Sequence, residues 1–248
     1  MCIGEILELA RLVVIPPFSA LFLYGSCARG DQDQSSDIDI LQVTPVHTAP
    51  YASGNLNVTC YTSDQLMALA KNGSLFAKHL VLEAVPLVDP DNLLEILKAV
   101  YTEPSEYLSV CAEVKGAIPL VAIDEITFDE NPRHYSSTAA YLLRTYVYAK
   151  AFQQGAKSFS MDYVAKLTGD LRPRLRLSDL RSHKTYSHFR GVVDLLFDLT
   201  ETEPFAREET LEAFIVNSQG SCDLAVILGL RILARGELLT YPPGSSKR

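Results

Sequence analysis

Gly25, Ser26, Arg29, Asp37 and Asp39 crowd into LYGSCARGDQDQSSDIDILQV, residues 23–43, and are the side chains best suited to do chemistry together. Gly25 has no Cβ, so a turn built on Gly25-Ser26 lets the backbone approach a ligand closely. A helix starting just after that turn would present free N–H groups and the positive end of its dipole to a phosphate. Arg29 adds a fixed positive charge nearby. Asp37 and Asp39 stand two apart in an alternating run, so both carboxylates project from one face of a strand. Two carboxylates on one face beside a phosphate cradle are what Mg²⁺ bridging a nucleoside triphosphate needs, with Mn²⁺ as the alternative ion.

The elements that must hold these residues can be read from periodicity. Ala20–Tyr24 (ALFLY) is a short apolar run that fits a buried strand, entered after Pro16-Pro17 end an opening helix with Ile6, Leu9 and Val13 at helical spacing. Asp37–Val43 alternates as a second strand, and Asn55–Tyr61 (NLNVTCY) as a third, with Pro45–Gly54 between them as a loop. Ser63 is the expected N-cap of a helix that Gly73 stops. From about Asp91 the pattern turns helical. Ser136 or Ser137 is expected to cap a long helix closed by Gly155, and further helices are expected near 162–167, 175–198, 208–217 and 223–234. The Pro/Gly/Ser-rich tail, 241–248, reads as frayed. The expected fold is α/β (α+β): a small mixed-sheet domain over 1–95, then an α-helical domain over 96–248.

Gly25-Ser26, Ala28-Arg29-Gly30 and Ser36-Asp37-Ile38-Asp39 together resemble the signature of polymerase-β-like nucleotidyltransferases. The A-R-G extension is typical of the minimal bacterial members, among them aminoglycoside, toxin–antitoxin and anti-phage enzymes. The resemblance is strong over residues 20–43, weak over 55–90 and absent beyond. It implies that Gly25, Ser26, Arg29 and Ser36 bind the nucleotide, and that Asp37 and Asp39 carry the metal ions for attack on the α-phosphate. It also implies transfer of a nucleoside monophosphate from an NTP or dNTP to a hydroxyl of a nucleic acid, a protein or a small molecule, with pyrophosphate released. Such families usually place a third carboxylate on a later strand. The matching strand here, LNVTCY, has no acid; Thr59 aligns at that position, with Asn57 on the same face. Asp64 just beyond the strand, and Asp124 and Glu125 in the helical part, are the candidate substitutes, and the spacing favours none of them. A domain that has lost catalysis and binds nucleotide or an antitoxin-like partner is the competing reading.

A second feature is basic. Lys166, Arg172, Arg174, Arg176, Arg181, Lys184 and Arg190 face only Asp170 and Asp179 between residues 166 and 190. One reading is a wall that contacts the triphosphate or an RNA or DNA acceptor. The other is a solvated helix with Leu171, Leu175 and Leu180 turned inward. Arg181 followed by six residues and His188 resembles the R-x(4–6)-H element of HEPN ribonucleases. The remaining histidines (His47, His79, His134, His183) show no metal-ligand spacing, and Tyr141, Tyr146 and Tyr148 read as core packing more than as a pocket.

The composition sets outer bounds. The chain has 248 residues, 48% of them hydrophobic, and carries 30 acidic against 22 basic side chains for a net charge of −8. That is ordinary globular usage, and the acidic balance argues against a bulk nucleic-acid coat. No apolar stretch approaches the roughly 18 residues that cross a bilayer. The beginning of the chain reads as an amphipathic helix and not as a signal peptide. Five widely spaced cysteines, Cys2, Cys27, Cys60, Cys111 and Cys222, predict neither a disulfide framework nor structural zinc, and so a reducing cytoplasm. The oligomeric state is left open.

Overall fold

The structure, a computed structural model, describes residues 3–33 and 36–234. The expected frayed tail, Cys2, and residues 34 and 35 of the polar turn lie outside them. The chain divides into two compact units. The first comprises residues up to Ser105 together with Ser158–Ser160, and the second comprises Glu106–Lys157 and the segment that starts at Met161.

The first unit is built on a mixed five-stranded sheet. Its elements in chain order are α1 (Ile3–Val13), β1 (Ala20–Tyr24), α2 (Ser26–Arg29), β2 (Ile38–Val43), β3 (Tyr51–Ser53), β4 (Leu56–Tyr61), α3 (Ser63–Lys71), α4 (Leu75–Glu83), β5 (Val85–Val88) and α5 (Leu93–Val100). The strand order is β3-β4-β2-β1-β5. β2 and β4 run parallel, and the other pairs are antiparallel. ALFLY reads as a continuous apolar run because β1 is an interior strand covered on both faces. On one face α1 lays Ile6 and Ala10 over Leu21, Leu23, Ile40 and Val58. On the other, α3, α4 and α5 bury Leu66, Leu80 and Leu97 against Phe22, Leu41 and Val43.

The expected α/β arrangement is therefore present, with local differences. The segment expected as a loop contains β3, a three-residue edge strand too short for alternation to register. β5 was not anticipated; its Pro86 lacks an N–H and is accommodated on a strand at the sheet edge. The cap of α3 is Thr62, not Ser63: its side chain accepts from Gln65 N while Gln65 Oε1 accepts from Thr62 N, a reciprocal capping box.

The second unit is helical: α6 (Leu108–Ala117), α7 (Glu125–Glu130), α8 (Pro132–Gln153), α9 (Met161–Thr168), α10 (Arg172–Ser182), α11 (Tyr186–Thr200), α12 (Leu211–Ser218) and α13 (Asp223–Leu233). The long α8 packs on α6, α10 and α11. It starts at Pro132, ahead of the expected Ser136 cap, because proline at the first helical position has its φ pre-set and no N–H to satisfy. The helix expected across 175–198 breaks in two. His183 is extended, and Thr185 caps α11 by accepting from His188 N. Leu171 and Leu175, expected to face inward, are 56% and 52% exposed, and only Leu180 is buried.

Candidate active site

The sheet gathers the candidate residues at one end. Because β1 and β2 are antiparallel, the carboxyl end of β1 lies beside the start of β2, with Tyr24 opposite Asp39. Because β2 and β4 are parallel, the start of β4 lies on Asp39's other side, with Asn57 opposite it. Register partners project to the same face, so Tyr24, Asp39 and Asn57 form one polar row. The rows behind it, Phe22–Leu41–Thr59 and Ala20–Val43–Tyr61, continue that face into the apolar layer under α3, α4 and α5. Asp37 stands just ahead of β2 and is exposed.

Gly25 closes the corner between strand and turn. Its φ of 76° and ψ of −155° belong to a region almost reserved for glycine. A Cβ placed there would sit 2.6 Å from Asp39 Oδ2. The Gly25 backbone and the Asp39 carboxylate thus approach so closely that no side chain fits between them. Ser26 opens α2, a single turn ended by Gly30 in the left-handed conformation. Ser36 Oγ accepts from Asp33 N and donates to Asp33 Oδ1, which ties the polar turn to itself. On α2, burial pushes the Cys27 thiol pKa up, and the charges of Asp39 and Asp37 push it further.

The register also settles which residue stands beside Asp39 on β4. It is Asn57, while Thr59 Oγ1 is occupied 3.0 Å from Tyr24 OH. Asp64 lies in the first turn of α3, beyond the opposite end of β4. Asp124 caps α7 in the second unit by accepting from Thr127 N. Among the described residues, no group of three or more His, Cys, Asp or Glu could hold a metal. The two aspartates still suit Mg²⁺, which commonly takes one or two carboxylates and completes its shell with water and substrate phosphates.

Arg29 points back into the fold. Its Nε donates to both Asp31 oxygens and its Nη1 donates to Glu83 Oε2 at 2.7 Å. Burial alone would push the Glu83 carboxyl up, but His79, Arg29 and the Phe159 N–H outweigh it and hold it at about 2, against an ordinary 4.5. A folded-state pKa below the unfolded one stabilises the protein above pH 4.5 and loses that stabilisation as pH falls towards 2, by about 3 kcal/mol in all. The stability gap between wild type and Glu83→Gln, measured by urea unfolding, should therefore shrink between pH 5 and pH 2.5. Parallel curves for the two proteins would refute the ionised assignment.

Residues 16–80, from the approach to β1 through most of α4, match the family model of the nucleotidyltransferase domain. Over that stretch the chain is similar to the nucleotidyltransferase domain. No curated protein is significantly similar to it. The matched stretch contains the Gly25 corner, both aspartates and the Asn57 strand, in keeping with the polymerase-β-like resemblance. No helix among the described residues is long and apolar enough to cross a membrane. The four described cysteines are unpaired.

The basic segment of the second unit is partly neutralised. Arg172 pairs with Asp170 and Asp198, Arg174 with Asp162, and Arg190 with Asp194. Three of those acids lie outside the 166–190 window, which is why the sequence count overstated the free charge. Arg176 lies against α11 at Gly191, where its Nη1 is 3.1 Å from the position of a Cβ. The groove between α10 and α11, about 470 Å³, presents Asp179, Asp194 and Asp198 beside Arg172 and Arg176, a mixed lining and not an anion site. Arg181 and Lys184 are exposed at the α10–α11 corner. There His183 and His188 stack with ring centres 5.3 Å apart, and His188 Nδ1 lies 2.7 Å from Thr185 Oγ1. Tyr146 is core, its hydroxyl donating to Leu199 O.

Proposed function

We propose that the nucleotidyltransferase domain transfers a nucleoside monophosphate from an NTP or dNTP to an acceptor hydroxyl. The observation that carries this reading is the contact-distance approach of the Gly25 backbone to Asp39 within the polar row Tyr24–Asp39–Asn57. In this reading Gly25 and Ser26 cradle the β- and γ-phosphates, Ser36 supports the turn, and Asp37 and Asp39 hold Mg²⁺ or Mn²⁺. An ion held there would supply charge neutralisation for the triphosphate. The acceptor oxygen bonds to the α-phosphorus, the bond from that phosphorus to the bridging oxygen breaks, pyrophosphate leaves, and the acceptor proton passes to water. The domain's own contribution is positioning in a fixed electrostatic frame.

For the acceptor, the exposed Arg181 and Lys184 favour a nucleic acid over a cationic alcohol, because such residues contact phosphate oxygens. Such binding should weaken steeply with salt. The family resemblance supports a setting in toxin–antitoxin or anti-phage defence in the cytoplasm.

A second reading is favoured by one observation. Asn57 and Thr59 leave the neighbouring strand without a carboxylate that could take the acceptor proton. A nucleotide-binding protein without catalysis would have the same geometry. The deciding experiment incubates the protein and Mg²⁺ or Mn²⁺ with each α-labelled NTP and dNTP, with and without total RNA. Label in nucleic acid, protein or a small molecule, lost in Asp37→Ala/Asp39→Ala, supports the transferase. Nucleotide binding with no pyrophosphate released supports the non-catalytic reading.

A further inference from the structure

We propose that Glu83 is the positioning residue of the phosphate turn, holding α2 in place through Arg29. The inference rests on α2 being the triphosphate cradle, and it concerns a residue beyond the 16–80 match. A helix of one turn cannot set its own orientation, since it forms too few internal hydrogen bonds to offset the entropy of ordering. Its bearing must come from outside. Arg29 ends α2, and its Nη1 reaches across 54 residues to a carboxylate whose side chain is 6% exposed. That carboxylate is itself fixed from behind: Glu83 Oε1 accepts from Ser158 Oγ at 2.8 Å and from Phe159 N at 2.7 Å.

His79, one turn earlier on α4, strengthens the frame. Its Nε2 lies 3.0 Å from Glu83 Oε2. Its ring stacks on Phe159 at 4.4 Å and meets the edge of Tyr24 at 5.5 Å. Tyr24 is the register partner of Asp39. One buried cluster therefore braces both halves of the site, α2 through Arg29 and the aspartate row through Tyr24. Reacting groups displaced by about 1 Å lose roughly 10²-fold in rate, so a brace of this kind bears directly on the chemistry.

Glu83→Gln isolates the brace. Whichever way the amide turns, its NH₂ faces at least one N–H donor, and Arg29 loses its buried countercharge. The half-buried Cys27 on α2 reports the result without any need for turnover. Its alkylation by iodoacetamide, followed by peptide mapping, should accelerate about tenfold or more, the size expected on losing a charge-assisted hydrogen bond. Arg29→Met should accelerate it equally, and the double variant no further, because both changes cut the same contact. For whichever NTP or dNTP the protein accepts, kcat/KM should fall by about 10²-fold in Glu83→Gln.

Unchanged Cys27 reactivity in Glu83→Gln, or additive effects in the double variant, would overturn the proposal. So would faster alkylation with an unaltered kcat/KM. If Glu83→Gln does not fold, Arg29→Met alone must still expose Cys27, and a protected Cys27 there overturns it equally. A wild type that transfers no nucleotide while the alkylation pattern holds removes the transferase reading and leaves Glu83's hold on α2 standing.

Discussion

Asp39→Asn should lower nucleotide transfer by about 10³-fold, the scale of losing a metal-ion contribution to the barrier, and leave the fold intact. The amide has the volume of the carboxylate, so the row between Tyr24 and Asn57 keeps its packing and β2 keeps its register. What changes is charge: a neutral group would face the triphosphate where a metal-binding anion is expected. Pyrophosphate release and thermal unfolding, measured on the same preparation, check both halves. A variant that unfolds like wild type and keeps more than a tenth of its activity would remove Asp39 from the metal site.

Gly25→Ala should be nearly as damaging for a different reason. Its backbone conformation costs any residue with a Cβ about 1–3 kcal/mol. The new methyl would also lie 2.6 Å from Asp39 Oδ2, so either the carboxylate turns away or α2 shifts. Both responses disrupt the site, and transfer should fall by at least about 10²-fold. Gly30→Ala separates strain from collision. Gly30 also has positive φ, 74°, but nothing lies within 4 Å of its Cβ position. It should lose about 1 kcal/mol of stability and keep activity within a few-fold of wild type. If Gly25→Ala is as active as Gly30→Ala, the close approach at Asp39 has no functional consequence.

Together these variants test a site whose parts differ in how far apart they lie in the chain. The strand, glycine turn and strand around Gly25 and Asp39 were legible because their relations are local. A two-residue alternation marks the strand through Asp39, and a glycine after an apolar strand marks a tight turn. The order of strands and helices was legible for the same reason, as short-period burial patterns. The parts that were missed depend on distant partners. Asn57, not Thr59, stands beside Asp39 because of the register between β2 and β4, and no periodicity within either strand encodes that offset. The basic segment looked more positive than it is because Asp162, Asp194 and Asp198 fold back onto Arg174, Arg190 and Arg172.

By itself, then, the sequence determined the family signature, the mixed sheet followed by helices, and the Gly25–Asp39 corner, all carried by residues within a few positions of each other. Only the tertiary structure decided what stands beside Asp39 and what braces Arg29. Those neighbours are brought together by the pairing of separate strands and by a buried carboxylate 54 residues from its arginine. Contacts of that range follow from packing of the whole sheet layer, not from any local pattern.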